Sequence, residues 1–141
     1  MKQAQIPQAN RSARAIPAEG LLQLQHQGVL RQLKASDCPF TLGRAPGNAL
    51  QLVSDAASRM HGRIEWQNGH FCYRDCSRNG TYVLNGHGEE KFVHQQSITL
   101  PRKGVLSPAR NVLEQAVEVV RFVAPRGNMY GSLQATTKNY S

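Results

Sequence analysis

Apolar residues recur along this chain at short spacing between turn-forming residues, and no window between 21 and 106 keeps helical spacing free of Gly, Pro or Asn. That pattern predicts short strands. Leu22 and Leu24, followed by residues 29–33, predict an opening pair about Gln27-Gly28. Phe40-Thr41-Leu42 predicts a third strand ending at Gly43, and residues 50–53 a fourth after Pro46-Gly47-Asn48. Two Asn-Gly pairs mark hairpins, because that dipeptide accepts the positive φ angles of tight turns. Asn68-Gly69 lies between residues 63–66 and 70–73, and Asn85-Gly86 follows residues 81–84. Residues 91–93, 97–100, 104–106 and a last run over 116–123 complete the set. Residues 111–120 fit a helical face about as well as a strand, and the β-branched Val117, Val119, Val120 and Val123 favour a strand from Val117 onwards. Many short strands at roughly 8 to 12 residue spacing predict an all-β sandwich or barrel.

Composition bounds this picture. A chain of 141 residues holds one domain with its own core and not two of ordinary size. Residues 1–18 and 125–141 are too polar to bury much apolar surface, which predicts a disordered basic tail, a domain over 19–124 and a flexible C-terminal tail. Of the formal charge of +8, the tails carry Lys2, Arg11, Arg14, Arg126 and Lys138, leaving 12 basic residues against 9 acidic ones between them. A central charge of about +3 weighs against nucleic-acid binding, which gathers Lys and Arg on the folded domain.

Three cysteines, an odd number, and no apolar stretch near the start predict a reducing cytoplasmic compartment. No run of 18 apolar residues predicts a membrane span. Cys72 and Cys76, at even spacing, are read as strand residues facing the core. The paired spacings that zinc requires are missing, so neither metal nor cofactor is expected. No nucleophile with its base and no nucleotide loop stands out, so the chain is read as a non-enzyme.

Three clusters fall in predicted loops: Gly43-Arg44, then Ser58-Arg59-Met60-His61, then Asp75 and Ser77-Arg78-Asn79-Gly80-Thr81. Loops on a rigid scaffold are where binding residues concentrate. Guanidinium forks, hydroxyls and backbone N–H groups are the donors that satisfy a phosphate. Read singly, Arg44 is a solvated arginine, Ser58 a turn cap after Asp55-Ala56-Ala57, and Asn79-Gly80 another tight turn. Asp75 reads as a structural acceptor of loop N–H groups.

In their order and spacing the three clusters resemble the signature of the forkhead-associated (FHA) family, over roughly residues 20–124. The resemblance implies a sandwich of two mostly antiparallel sheets with the ligand at the loops of one end. It also implies that Arg44 grips a phosphate, Ser58 donates its hydroxyl to it, Asn79 holds the peptide backbone and Arg59 contributes. Gly43, His61, Gly80 and Thr81 match supporting positions. Arg78 departs from the pattern, which often has a small hydroxyl residue there; its guanidinium either replaces the hydroxyl at the phosphate or points outward.

The function so implied is a phosphothreonine-dependent interaction module, a signalling adaptor. Its partner is a threonine-phosphorylated client of a Ser/Thr kinase, and the chain itself is expected to be a monomer. Residues 54–57 and 85–90 are where peptide preference is expected to be set. The alternatives are a phosphate-independent interaction module on the same fold and a basic nucleic-acid-binding protein. Thr136 and Thr137 are candidates for a phosphorylated ligand in cis.

Overall fold

The computed structural model describes residues 20–108 and 118–125. The expectations for residues 1–18 and 111–117, for the segment beyond Pro125 and for Thr136 and Thr137 lie outside the described residues. Strand β1 (Leu21–His26) turns into β2 (Val29–Lys34) through Gln27 and Gly28, both at positive φ, and a 3-10 turn at Ala35–Asp37 leads to β3 (Phe40–Gly43). Then follow β4 (Leu50–Gln51), β5 (Gly62–Gln67), β6 (His70–Asp75), β7 (Thr81–Asn85), β8 (Glu90–Val93), β9 (Ser97–Thr99), β10 (Lys103–Pro108) and β11 (Val120–Val123).

They form two sheets, in the orders β9-β6-β5-β3-β4 and β2-β1-β11-β10-β7-β8. Every pairing is antiparallel except β3 with β4. The all-β sandwich of mostly antiparallel sheets is therefore observed. Alternation along the strands fills the space between the sheets: Leu22 and Leu24 meet Ile64, Phe71, Tyr73, Val83, Leu106 and Phe122 in one buried cluster. Each such side chain contributes about 1.5–3 kcal/mol of apolar transfer. Trp66 packs edge-on against Phe71 with centroids 4.7 Å apart.

Four local expectations need correction. Strand β4 stops at Gln51 rather than Val53, because the Val53 and Ser54 N–H groups donate to the Glu118 carboxylate instead of extending a ladder. Glu118 and Val119 precede β11 without joining it. Asn68-Gly69 has the expected positive φ values, whereas neither Asn85 nor Gly86 does. The longer β7–β8 loop is organised instead by Asn85 Oδ1, which accepts from His87 N–H (2.8 Å) and Glu89 N–H (3.0 Å), and it turns at Gly88 with φ 86. Finally, the two cysteines differ: Cys72 is a buried strand residue, whereas Cys76 is neither in a strand nor buried. Cys72 alternates with Phe71 and Tyr73, outside the core cluster, and Cys76 lies beyond the end of β6, exposed.

Candidate functional site

The three sequence clusters meet at one end of the sandwich, because strand pairing and a few side chains bind their loops together. Gly43, the last residue of β3, packs so closely on the next loop that a Cβ there would lie 2.1 Å from the Arg59 carbonyl oxygen. That approach lets Arg44 N–H donate to the Ser58 carbonyl (2.9 Å) and Ala45 N–H to that of Arg59 (3.2 Å). Arg44 Nε donates to the Ala57 carbonyl (3.0 Å). Its side chain is exposed, so the terminal nitrogens of the fork face solvent at the loop it grips.

His61 joins this loop to the Asn79 loop. Its Nδ1 accepts from Ser58 N–H (2.9 Å) and its Nε2 lies 3.0 Å from the Gly80 carbonyl oxygen. An accepting Nδ1 carries no proton, so the ring is neutral and Nε2–H is the donor. Burial pushes its pKa below the ordinary 6.5, outweighing the Gly80 carbonyl and the charges of Asp75 and Glu118, which pull it up. The bracing role expected of His61 has this geometry.

Ser58 and Asn79 tie the same two loops from the solvent side. Ser58 Oγ accepts from Arg78 N–H (2.9 Å), which leaves its own proton without an acceptor among the described residues. The turn cap expected at Ser58 is made instead by Ser54, whose Oγ accepts from Ala56 N–H (3.1 Å). Asn79 Nδ2 donates to the Ala56 carbonyl (3.3 Å). Asn79, Arg59 and Arg78 are all exposed.

Beneath them, Asp75 is fully buried and acts as the acceptor the sequence suggested. Its carboxylate takes N–H bonds from Ser77 (3.2 Å) and Gln95 (2.9 Å) and hydroxyl bonds from Ser77 and Thr81 (each 2.8 Å). Since Thr81 spends its proton on Asp75, the Tyr73 hydroxyl donates to Thr81 Oγ1 (2.8 Å). Ser77 Oγ accepts from Gly80 N–H (2.7 Å), and Gly80 sits at φ 86 with Phe92 where a Cβ would go. Ser77 was singled out by sequence only as a member of the Ser77–Thr81 cluster, with no role of its own, and Tyr73 and Gln95 were not among the expected site residues. Ser77 has a local signal in its two-residue spacing from Asp75, while Tyr73 and Gln95 read as ordinary strand and loop residues. Glu118 was missed as well; its side chain is only 5% exposed, meets His26 Nε2 at 2.6 Å and holds the Val53-Ser54 end of the Ser58 loop.

Arg44, Ser58, Arg78 N–H and Asn79 therefore line one rim around a rigid, hydrogen-bonded floor. Residues 40–106 match the FHA domain family. The fold is FHA-like. Among solved structures, it is similar to Rv1747 FHA-1 of Mycobacterium tuberculosis (TM-score 0.59, 18% identity, covering 75% of this chain and 97% of that one). It is also similar to EmbR of the same organism in complex with a low affinity phosphopeptide (TM-score 0.56, 20% identity, 77% of this chain, 26% of that one). A third similar structure comes from a study of phosphothreonine-dependent FHA domain interactions (TM-score 0.56, 21% identity, 75% and 98%). No curated protein sequence matches the chain.

Proposed function

We propose that this protein is a phosphothreonine-dependent interaction module, in which Arg44 and the Ser58 hydroxyl bind the phosphate and Asn79 holds the peptide backbone. One observation carries the reading: Arg44 and Ser58 are bonded through a single loop and Arg78 N–H donates to Ser58 Oγ, so an exposed guanidinium fork and a hydroxyl proton that no described residue accepts converge where a dianion with three acceptor oxygens would sit. Arg59 and Arg78 add charge at the same rim. The module works as an adaptor rather than an enzyme, and its partner is a client of a Ser/Thr kinase. The binding unit is a monomer spanning residues 19–124. A reducing cytoplasmic setting is the reading that the odd number of cysteines, three, suggests.

The test is a fluorescence-anisotropy titration of a degenerate phosphothreonine peptide pool and its unphosphorylated twin against the native chain and Arg44→Ala. Losing one partner of a charged hydrogen-bonded pair costs about 2–5 kcal/mol, so the variant should bind more than tenfold more weakly. Equal binding of the two pools would replace this reading with a phosphate-independent module. Binding of neither pool would remove the phosphate mechanism.

A further inference from the structure

The outer face of the five-stranded sheet carries a cationic feature that the phosphate rim does not use. Nearest the rim, one cross-strand row runs Thr41, Arg63, Arg74, Ser97 over β3, β5, β6 and β9. Their strand neighbours Leu42, Ile64, Tyr73 and Ile98 pack in the core, so these four point away from it. Like charges directly opposite one another in an antiparallel pair repel. Arg63 is compensated, since its Nε bonds Glu65 and its Nη1 lies 3.4 Å from Cys76 Sγ. Arg74 has no hydrogen-bond or ion-pair partner among the described residues.

The row is continuous with the rim. Cys76, which Arg63 reaches, immediately precedes Ser77-Arg78-Asn79. Arg59 and Arg78 extend the positive charge onto the exposed loops. Of the nearby acids, Asp75 is buried and turned inward, Glu65 is held by Arg63, and Asp55 lies exposed on the Ser58 loop. A guanidinium left without a carboxylate beside a peptide site is complementary to an acidic ligand segment.

We propose that Arg74, with Arg63 beside it, is a docking strip for Asp or Glu residues that flank the phosphothreonine on the same partner segment. This inference rests on the phosphate-site reading above and adds a class of client to it: threonine sites embedded in acidic sequence. Exposed guanidinium–carboxylate contacts are individually weak, so acidic flanks should raise affinity by about threefold to tenfold.

The experiment titrates the full chain with three phosphothreonine peptides: neutral flanks, three Glu before the phosphothreonine, and three Glu after it. It compares the native chain with Arg74→Glu, Arg74→Gln and Arg121→Glu, after thermal unfolding has confirmed that each variant folds. Arg121 is the control, an exposed arginine on β11 of the other sheet. One acid-flanked peptide should bind the native chain threefold to tenfold tighter than the neutral one. Arg74→Gln should remove that preference and Arg74→Glu reverse it, with the neutral peptide unaffected by Arg74→Gln and Arg121→Glu harmless. Equal binding of the three peptides overturns the strip, as does an acid preference that Arg121→Glu weakens as much as Arg74→Glu, which would mean long-range attraction alone. If the native chain binds none of the three, the phosphate site itself is wrong and the strip falls with it.

Discussion

His61 is neutral because two loops need its ring to accept on one side and donate on the other. Its pKa is lowered below 6.5, chiefly by burial, which gives a defined pH dependence. As pH falls below 6.5, the unfolded chain takes up a proton on this histidine before the folded chain does, so stability decreases toward acid; above that value both states are neutral and the contribution is flat. Urea unfolding at pH 7.5 and pH 5.5 should show the loss, and His61→Gln should show less of it. An unchanged pH profile in the variant would assign the effect to other groups. Gly80 provides a second residue-scale test. Gly80→Ala forces a side chain to φ 86 and into Phe92, which should cost about 1–3 kcal/mol, read as a lower denaturation midpoint.

At the scale of elements, the Asp75 network fastens the end of β6 to the loop after it, to the start of β7 and to the turn at Gln95. Asp75→Ala would leave several buried donors unsatisfied, so a loss of about 3 kcal/mol or more is expected; a loss below 1 kcal/mol would mean that water replaces the carboxylate. Glu118→Gln should loosen the Val53-Ser54 end of the Ser58 loop, raising amide hydrogen exchange there while β1 stays protected. The strands were legible because alternation and turn residues are local signals: Leu22 and Leu24, or Asn68-Gly69, announce themselves within a few positions. Asp75 was legible for the same reason. Glu118 was not, because the N–H groups that donate to it lie 64 and 65 residues away and nothing beside it in sequence points there. Asn85-Gly86 misled because the Asn85 side chain organises the loop and the positive φ falls at Gly88 rather than at that pair.

At the scale of the molecule, the rim lies at the opposite end of the sandwich from Leu21 and Val123. Strand β11 starts beside Leu106 near the rim and runs away from it to Val123, and Leu21 starts β1 at that same far end. Residues 19–124 should therefore unfold cooperatively and bind phosphopeptide with the affinity of the full chain. Non-cooperative unfolding of that fragment would show that the outer segments are part of the fold. The rim's residues were legible as three motifs, but their bonding to one another was not, since Arg44 meets Ala57 and Ser58 meets Arg78 only through the sheet order.

The most direct test of the phosphate site is a two-dimensional NMR titration of the labelled chain with one phosphothreonine peptide and its unphosphorylated twin. Binding at the rim predicts that the amides of Arg44, Ser58, Arg59 and residues 78–80 and the Arg44 Nε–H shift together with the phosphorylated peptide alone. Shifts confined to other faces of the sandwich, or the same shifts with both peptides, would contradict it.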